Sequence, residues 1–254
     1  MKKLILASAV AATFMGTVAC AEEAAPAPDH VVAYNVGATS DYRFRGISQS
    51  RNDPALFGGV DYTNTPTGFY AGAWTSTIQW IKDQGGDAGV ELDVYGGKRG
   101  EVGSVAYDVG LIRYYYPGNK LGNVSGLVDA STTEAYIQAG YGFATIKYSY
   151  ALTDFIGWGK DTKGSDYLDL SLNPEIADGY ILNLHVGHQR VKNYNSGLAD
   201  YTDWKIGVTK DFGVVVGALA VVGTDADKTT AGYDFGSKGY LGNTKAVVTV
   251  TKNF

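Results

Sequence analysis

The residues of this chain that could do chemistry are charged side chains set into otherwise apolar alternation. Arg43 and Arg45 are two apart, as are Glu91 and Asp93, while Asp108, Glu134, Lys205 and Lys245 stand singly among apolar neighbours. On an extended chain, residues two apart share a face. If those faces turn toward one enclosed space, acids line one wall and bases the wall opposite. A transverse field across a water-filled pore would then orient and select small polar solutes or ions. The same residues could instead pair into an internal salt-bridge lattice that fills and stabilises the interior, because buried charge has to be paired. The residues leave both readings open.

Catalysis finds less support. A hydrolytic nucleophile needs a histidine base within reach. The three histidines are His30, at the end of the N-terminal lead, and His185 and His188. The last two are three apart, so a strand would send them to opposite faces, one into a lumen and one to an interface. No His-x-Ser-Asn-type run accompanies them. The expectation is a non-enzyme with no catalytic, cofactor-binding or metal-binding residues. Asp225-Ala226-Asp227 offers two carboxylates where calcium takes about six or more oxygens. Gly96-Gly97-Lys98 is followed by no helix that could complete a phosphate site. The net charge of -5 and the lack of a basic cluster give no sign of nucleic-acid binding.

The elements that would position these residues begin after a leader. Lys2 and Lys3 precede an apolar stretch from Leu4 to Val18, and Ala19-Cys20-Ala21 provides small residues for cleavage. Residues 1–21 read as a secretory signal peptide, with lipidation at Cys20 as the alternative. Residues 22–30 read as a flexible lead, and residues 31–254 as one domain. Cleavage after Ala21 would remove the only cysteine, and with it any help from disulfides. Beyond the leader no apolar run approaches the ~18 residues of a membrane helix.

Alternation of period two dominates the rest. Val105, Tyr107, Val109 and Leu111 alternate with Ala106, Asp108 and Gly110; Ile146, Tyr148 and Tyr150 alternate with Lys147 and Ser149; Leu168, Leu170 and Leu172 alternate with Asp169 and Ser171. About twelve strands are predicted, near 31–47, 54–64, 68–78, 88–98, 103–115, 131–141, 143–153, 165–176, 179–190, 200–211, 213–222 and 239–254. Short and long connections alternate between them, which puts short turns on one rim and long loops on the other. Tyr141, Phe143, Tyr180, Phe212 and Phe254 fall beside short turns. Trp80, Tyr115, Tyr116, Trp158, Tyr194 and Tyr201 fall near long loops. Two aromatic girdles are expected from them. A soluble β-sandwich also alternates, but it has no need of so many long strands or of loops sorted by length. In lipid an open sheet edge has no hydrogen-bond partners, so the first strand must pair with the last.

The block Ser40-Asp41-Tyr42-Arg43-Phe44-Arg45-Gly46-Ile47-Ser48-Gln49-Ser50 resembles the opening motif of the TorF-type porin family of proteobacteria. Gly58-Gly59-Val60-Asp61-Tyr62, Gly68-Phe69-Tyr70-Ala71-Gly72-Ala73-Trp74-Thr75-Ser76, Tyr115-Tyr116-Pro117-Gly118, Asp203-Trp204-Lys205-Ile206-Gly207-Val208 and the tail Lys252-Asn253-Phe254 fit as well. Phe57 departs from the pattern, where a Gln is expected before Gly58. The resemblance covers nearly all of the chain after the leader. It implies an outer-membrane barrel with a pore and no catalytic residues.

The sequence therefore predicts an all-β fold, a single antiparallel up-and-down transmembrane β-barrel of about twelve strands in the bacterial outer membrane. Its expected role is that of a porin-like channel for passive diffusion of small polar solutes or ions. The alternative is a non-conducting structural or adhesive barrel. Arg43 and Arg45, on one face of the first strand, are expected to line the pore with Glu91, Asp93, Asp108, Glu134, Lys205 and Lys245. Inward Gly58, Gly110, Gly140, Gly187 and Gly207 are expected to widen it. The long loops 117–130 and 223–238 are expected to be hydrated and mobile. Phe254 is expected to act as the barrel-assembly signal. The expected partners are outer-membrane lipid, the barrel-assembly machinery and small polar solutes.

Overall fold

The computed structural model describes residues 28–230, 233–234 and 239–254. The expected signal peptide, with Cys20 inside it, and residues 22–27 of the lead lie outside the described residues. Strand β1 spans His30–Thr39, so the sheet begins at His30 itself. It is followed by β2 (Ala55–Asn64), β3 (Phe69–Thr77), β4 (Val90–Val102), β5 (Val105–Tyr115), β6 (Thr132–Tyr141) and β7 (Ala144–Ala151). Then come β8 (Asp166–Leu172), β9 (Tyr180–Arg190), β10 (Tyr201–Asp211), β11 (Val216–Thr224) and β12 (Lys245–Asn253). The segment Glu175–Ala177 continues β8 along β9 in the same register as far as Glu175, with a register shift between Glu175 and Ala177. Each strand pairs antiparallel with its neighbours, and β1 pairs with both β2 and β12. The result is a closed twelve-stranded antiparallel barrel.

Alternation decides what each wall shows. On β12, Ala246, Val248 and Val250 are exposed outside, while Val247, Thr249 and Thr251 face in. On β7, Ile146, Tyr148 and Tyr150 point out, and Lys147 and Ser149 point in. β-branched and aromatic residues suit such a half-buried pleat. Strands of ten residues, rising about 3.3 Å each and tilted by about 40°, carry an apolar band about 25 Å tall. Tyr141, Phe143, Tyr180, Phe212 and Phe254 are all exposed at the short-turn rim, as expected. Lys252 lies with its Nζ 5.8 Å from the centroid of the Phe254 ring there.

The long-loop rim differs from expectation. Of the six aromatics assigned to a girdle there, only Tyr115 is exposed. Trp80, Tyr116 and Tyr201 are buried, and Trp158 and Tyr194 pack against the same interior cluster. The loops that carry them fold over the mouth of the barrel. Trp80 opens a short helix, Trp80–Asp83, and meets Tyr116 edge-on at 5.5 Å. Trp158 stacks edge-on with both Tyr194 and Tyr233 at 4.8 Å. The loops at 117–130 and 223–238 bury Leu121 and Tyr233 in this cluster, so they are not wholly solvated.

Closure can be read from the backbone. Tyr34 and Phe254 exchange both main-chain hydrogen bonds, at 3.2 and 2.9 Å. Hydrogen-bonded and open pairs alternate along an antiparallel ladder. Thr39 and Thr249, five steps on in the register, therefore form an open pair, with side-chain oxygens 3.0 Å apart. We expect Thr39→Cys with Thr249→Cys to form an internal disulfide in the refolded barrel, seen as a reducible mobility shift on a denaturing gel. A register slipped by one residue would put the two thiols on opposite faces and leave them unlinked.

Candidate functional site

The interior is built around the loop between β1 and β2. The sequence places Arg43 and Arg45 on the first strand, but that strand stops at Thr39. The ladder to β12 is completed by Ser40, whose N–H donates to the Val248 carbonyl at 2.8 Å and whose Oγ accepts from Val248 N–H at 2.9 Å. Asp41 then gathers local donors: Arg43 Nε at 2.7 Å and Ser48 Oγ at 2.5 Å. Short polar side chains that capture nearby donors compete with a strand ladder and turn the chain. The turned segment forms a hairpin, Arg43–Phe44 against Ile47–Ser48, with Arg45-Gly46 as its two-residue tip. Both tip residues have positive φ, 46° and 79°, as such a turn requires. A Cβ on Gly46 would meet Thr224 Cγ2 at 2.4 Å and Asp203 Cβ at 2.6 Å. Glycine is therefore required at the tip by backbone angle and by space.

Arg45 is carried by this tip into the middle of the barrel mouth. It donates to Glu134 Oε2 on β6 at 2.6 Å and to Gln189 Oε1 on β9 at 2.7 Å. Its guanidinium lies 4.4 Å from the Tyr167 ring centroid and 4.6 Å from that of Phe44. Burial works against the charge, but the Glu134 carboxylate more than offsets this and holds Arg45 above its ordinary pKa. Arg43 stays within the loops, bonded to Asp41 and to the Asn243 carbonyl at 2.7 Å. Arg51 forms an ion pair with Asp83 of the short helix. The loops thus interlock into a plug.

Beside the plug, the acids of β4 and β6 face in as the sequence predicts, but they are sealed. Glu91, Asp93 and Glu134 are at most 1% exposed. Tyr42 donates to Glu91 at 2.6 Å. Burial, and then the nearby Glu91 carboxyl, push the phenols of Tyr42 and Tyr116 well above their ordinary pKa, so both remain neutral donors. The Asp93 oxygens and Trp74 Nε1 find no hydrogen-bond partner among the described residues, a local cost that the surrounding packing must outweigh. Lower in this half, Tyr70 donates to Asp108 and Tyr95 to Asp61, each at 2.6 Å. Gly110, Gly140, Gly187 and Gly207 lie on inward faces. Gly58 is a correction: it shares the outward face with Leu56 and Val60. Gly110 and Gly187 do not widen the lumen, because the Tyr136 and Tyr167 rings occupy the space over them.

The other half of the interior is open. A cavity of about 260 Å³ lies beneath the hairpin and reaches Thr145, Asn173 and Thr251 at the short-turn rim. Its wall on β7–β10 carries Lys147, Asp169, His185, Asp203 and Lys205. His185 bridges the two acids, with Nδ1 2.9 Å from Asp169 and Nε2 2.8 Å from Asp203. Tyr167 also donates to Asp203, at 2.8 Å.

Of the residues expected to line a pore, Arg45 and Glu134 meet, Glu91 and Asp93 sit side by side, and Asp108 lies apart beneath Tyr70. Lys205 lines the cavity, and Lys245 shares the inward face of β12 at the loop end. The acids of β4–β6 face in, but the wall opposite is mixed, with Asp169 and Asp203 beside its lysines, and the arginines neutralise acids from a loop instead of facing them across water. The sequence reading missed Asp41, Tyr167, Asp169, Asp203 and Gln189. Lys147, Asp169 and His185 were visible as polar members of alternating strands. That His185 would join two acids from flanking strands was not.

The sequence matches, over residues 23–254, a family described as "Bacterial protein of unknown function (Gcw_chp)". No curated protein matches it. Among solved structures, a KdgM porin in complex with disordered oligogalacturonate superposes with a TM-score of 0.51 at 7% identity, covering 88% of this chain and 98% of that one. A structure from work on the in-meso crystallization of membrane proteins superposes with a TM-score of 0.50 at 6% identity, covering 88% and 83%. At such identities the likeness is one of fold: a porin-like barrel.

Removing Arg45 would leave Glu134 buried and unpaired. We expect Arg45→Ala to lower stability by about 3–5 kcal/mol, measured by urea unfolding of the refolded barrel followed by tryptophan fluorescence. Adding Glu134→Gln should recover part of the loss. An Arg45→Ala barrel as stable as the parent would show that this pair does not pin the plug.

Proposed function

The chain belongs to the bacterial Gcw_chp family, and we propose that it acts as an outer-membrane channel through which small polar solutes or ions diffuse passively. The observation that carries this reading is the cavity, with charged side chains on its wall, running from the plug hairpin to the short-turn rim inside a barrel whose outer face is apolar. Such a face is suited to lipid, and the closed ladder leaves no edge that would need water. The similarity of Ser40–Ser50 to the TorF-type porins belongs to the same reading. In that block Asp41, Arg43, Ser48 and Ser50 are bonded to one another or to backbone, so its polar residues shape the constriction. Phe254, paired with Tyr34 beside the seam, is the residue we assign to recognition by the barrel-assembly machinery.

The same reading holds that the protein is not an enzyme. Ser171 Oγ is 3.4 Å from His185 Nδ1, but each ring nitrogen of His185 already lies against a carboxylate. Neither is free to take a proton from a nucleophile. A non-conducting structural barrel is the second reading, favoured by one observation: the loops interlock across the mouth through Arg45–Glu134 and Arg51–Asp83.

Single-channel recording of the refolded protein in a planar bilayer separates the two. A channel gives discrete conductance steps, and Arg45→Ala with Glu134→Ala should enlarge them by loosening the hairpin. Silence from a correctly folded, heat-modifiable barrel, with and without those substitutions, would favour the structural reading. Lipid contact has its own test. Leu219→Arg, on the outer face of β11, should cost about 2–4 kcal/mol of stability in vesicles.

A further inference from the structure

The charges of the interior divide unevenly between its sealed half and its open half. Glu91, Asp93 and Glu134 lie in the sealed half, each at most 1% exposed. Asp41 is taken up by Arg43, and Glu134 by Arg45. On the cavity wall, Asp169 and Asp203 both bind the same imidazole. A carboxylate can only accept hydrogen bonds, so both ring nitrogens of His185 donate and the ring is an imidazolium. Asp169 also accepts from Ser171 at 2.9 Å, and Asp203 from Tyr167 at 2.8 Å. The acids facing the cavity are therefore engaged.

Lys147 and Lys205 are not. Both line the cavity, and neither ammonium has a hydrogen-bond or ion-pair partner among the described residues. The Tyr136 ring lies 4.2 Å from Lys147 Nζ. Lys147 stands opposite Asp169 in the register, and His185 stands opposite Lys205. The two lysines thus flank the imidazolium bridge, three strand spacings apart, about 14 Å along the wall. Three cations face two carboxylates in this band, and its unsaturated donors are ammonium groups. In a low-dielectric wall such a surplus attracts an anion more strongly than it would in water.

We propose that this band is a subsite for the carboxylate of a small hydrophilic anion. Lys147 and Lys205 bind it from either side of the Asp169–His185–Asp203 bridge, and the channel accordingly prefers anions to cations. Of the acids on the facing strands, Glu91, Asp93 and Glu134 are sealed beside the plug, and Asp108 and Asp61 accept from Tyr70 and Tyr95. The preference for anions rests on the channel reading; binding at the subsite does not.

The test combines two measurements on the full refolded chain. Succinate is titrated calorimetrically into detergent-solubilised barrel, with erythritol as the uncharged control. Reversal potentials are recorded in planar bilayers across a potassium chloride gradient. The wild type should bind succinate saturably, leave erythritol unbound and show an anion-preferring reversal potential. Lys147→Gln with Lys205→Gln should weaken succinate binding about tenfold or more, the loss expected for charge-assisted hydrogen bonds, and shift the potential toward cations. Lys147→Arg with Lys205→Arg should retain both properties, and heat modifiability checks that each variant is folded. Succinate binding that is absent, or equal in the wild type and the folded Gln variant, overturns the subsite. So does a conducting wild type that prefers cations. A barrel that binds succinate through these lysines yet conducts nothing overturns the channel reading and leaves the subsite standing.

Discussion

The structure depends on the seam where β1 meets β12. A strand edge inside a hydrocarbon layer has nothing to bond to, and each unsatisfied backbone group there costs several kcal/mol. The ladder from Asn35↔Asn253 to Thr39↔Thr249 removes that edge, and the Tyr34–Phe254 exchange extends it to the end of the strand. Register at the seam also sorts the side chains. With Val250 opposite Ala38, Val248 and Val250 face out, and Thr249 and Thr251 face in. Shifting the pairing by one residue would reverse this on the whole strand.

An outward apolar wall leaves polar side chains pointing into a confined interior. The barrel meets that constraint differently in its two halves. On β2–β6, tyrosine rings lie over inward glycines and donate to buried carboxylates, so the space is filled. On β7–β12 it stays open, and His185 joins the carboxylates of the two neighbouring strands. The hairpin of the first long loop joins the halves at the mouth, because the Arg45 side chain touches β6 and β9 together. A residue held at positive φ on an Arg-Gly tip is a small local strain. Two short charge-assisted hydrogen bonds and two aromatic faces outweigh it.

Much of this is legible along the chain. Ile146, Tyr148 and Tyr150 against Lys147 and Ser149 specify a strand and both of its faces before any partner is known. The sorting of loops by length indicates which ends lie together. The aromatics at the short-turn rim are where a reading of turns puts them, because a turn of a few residues leaves a ring no route inward. The long-loop aromatics escaped the same reasoning. A loop of more than ten residues can fold back, and Trp80, Tyr116 and Tyr201 lose more water by entering the mouth than by lining its outside. The first strand was read too long because Tyr42, Arg43, Phe44 and Arg45 alternate like a strand. The contrary signals were Asp41, a local acceptor, and the dipeptide Arg45-Gly46, which favours a tight turn.

Period-two alternation is a local property, carried by neighbouring residues. It sufficed to determine an antiparallel barrel with an apolar exterior, short turns at one rim and charges within. Which charges meet is not local. Arg45 finds Glu134 across 89 residues of chain, and only because a loop turns inward instead of prolonging a strand. His185 joins acids from two flanking strands, and two lysines remain without partners once those acids are engaged. The tertiary structure decided these matters, because Coulomb and hydrogen-bond energies depend on distances that sequence separation does not encode.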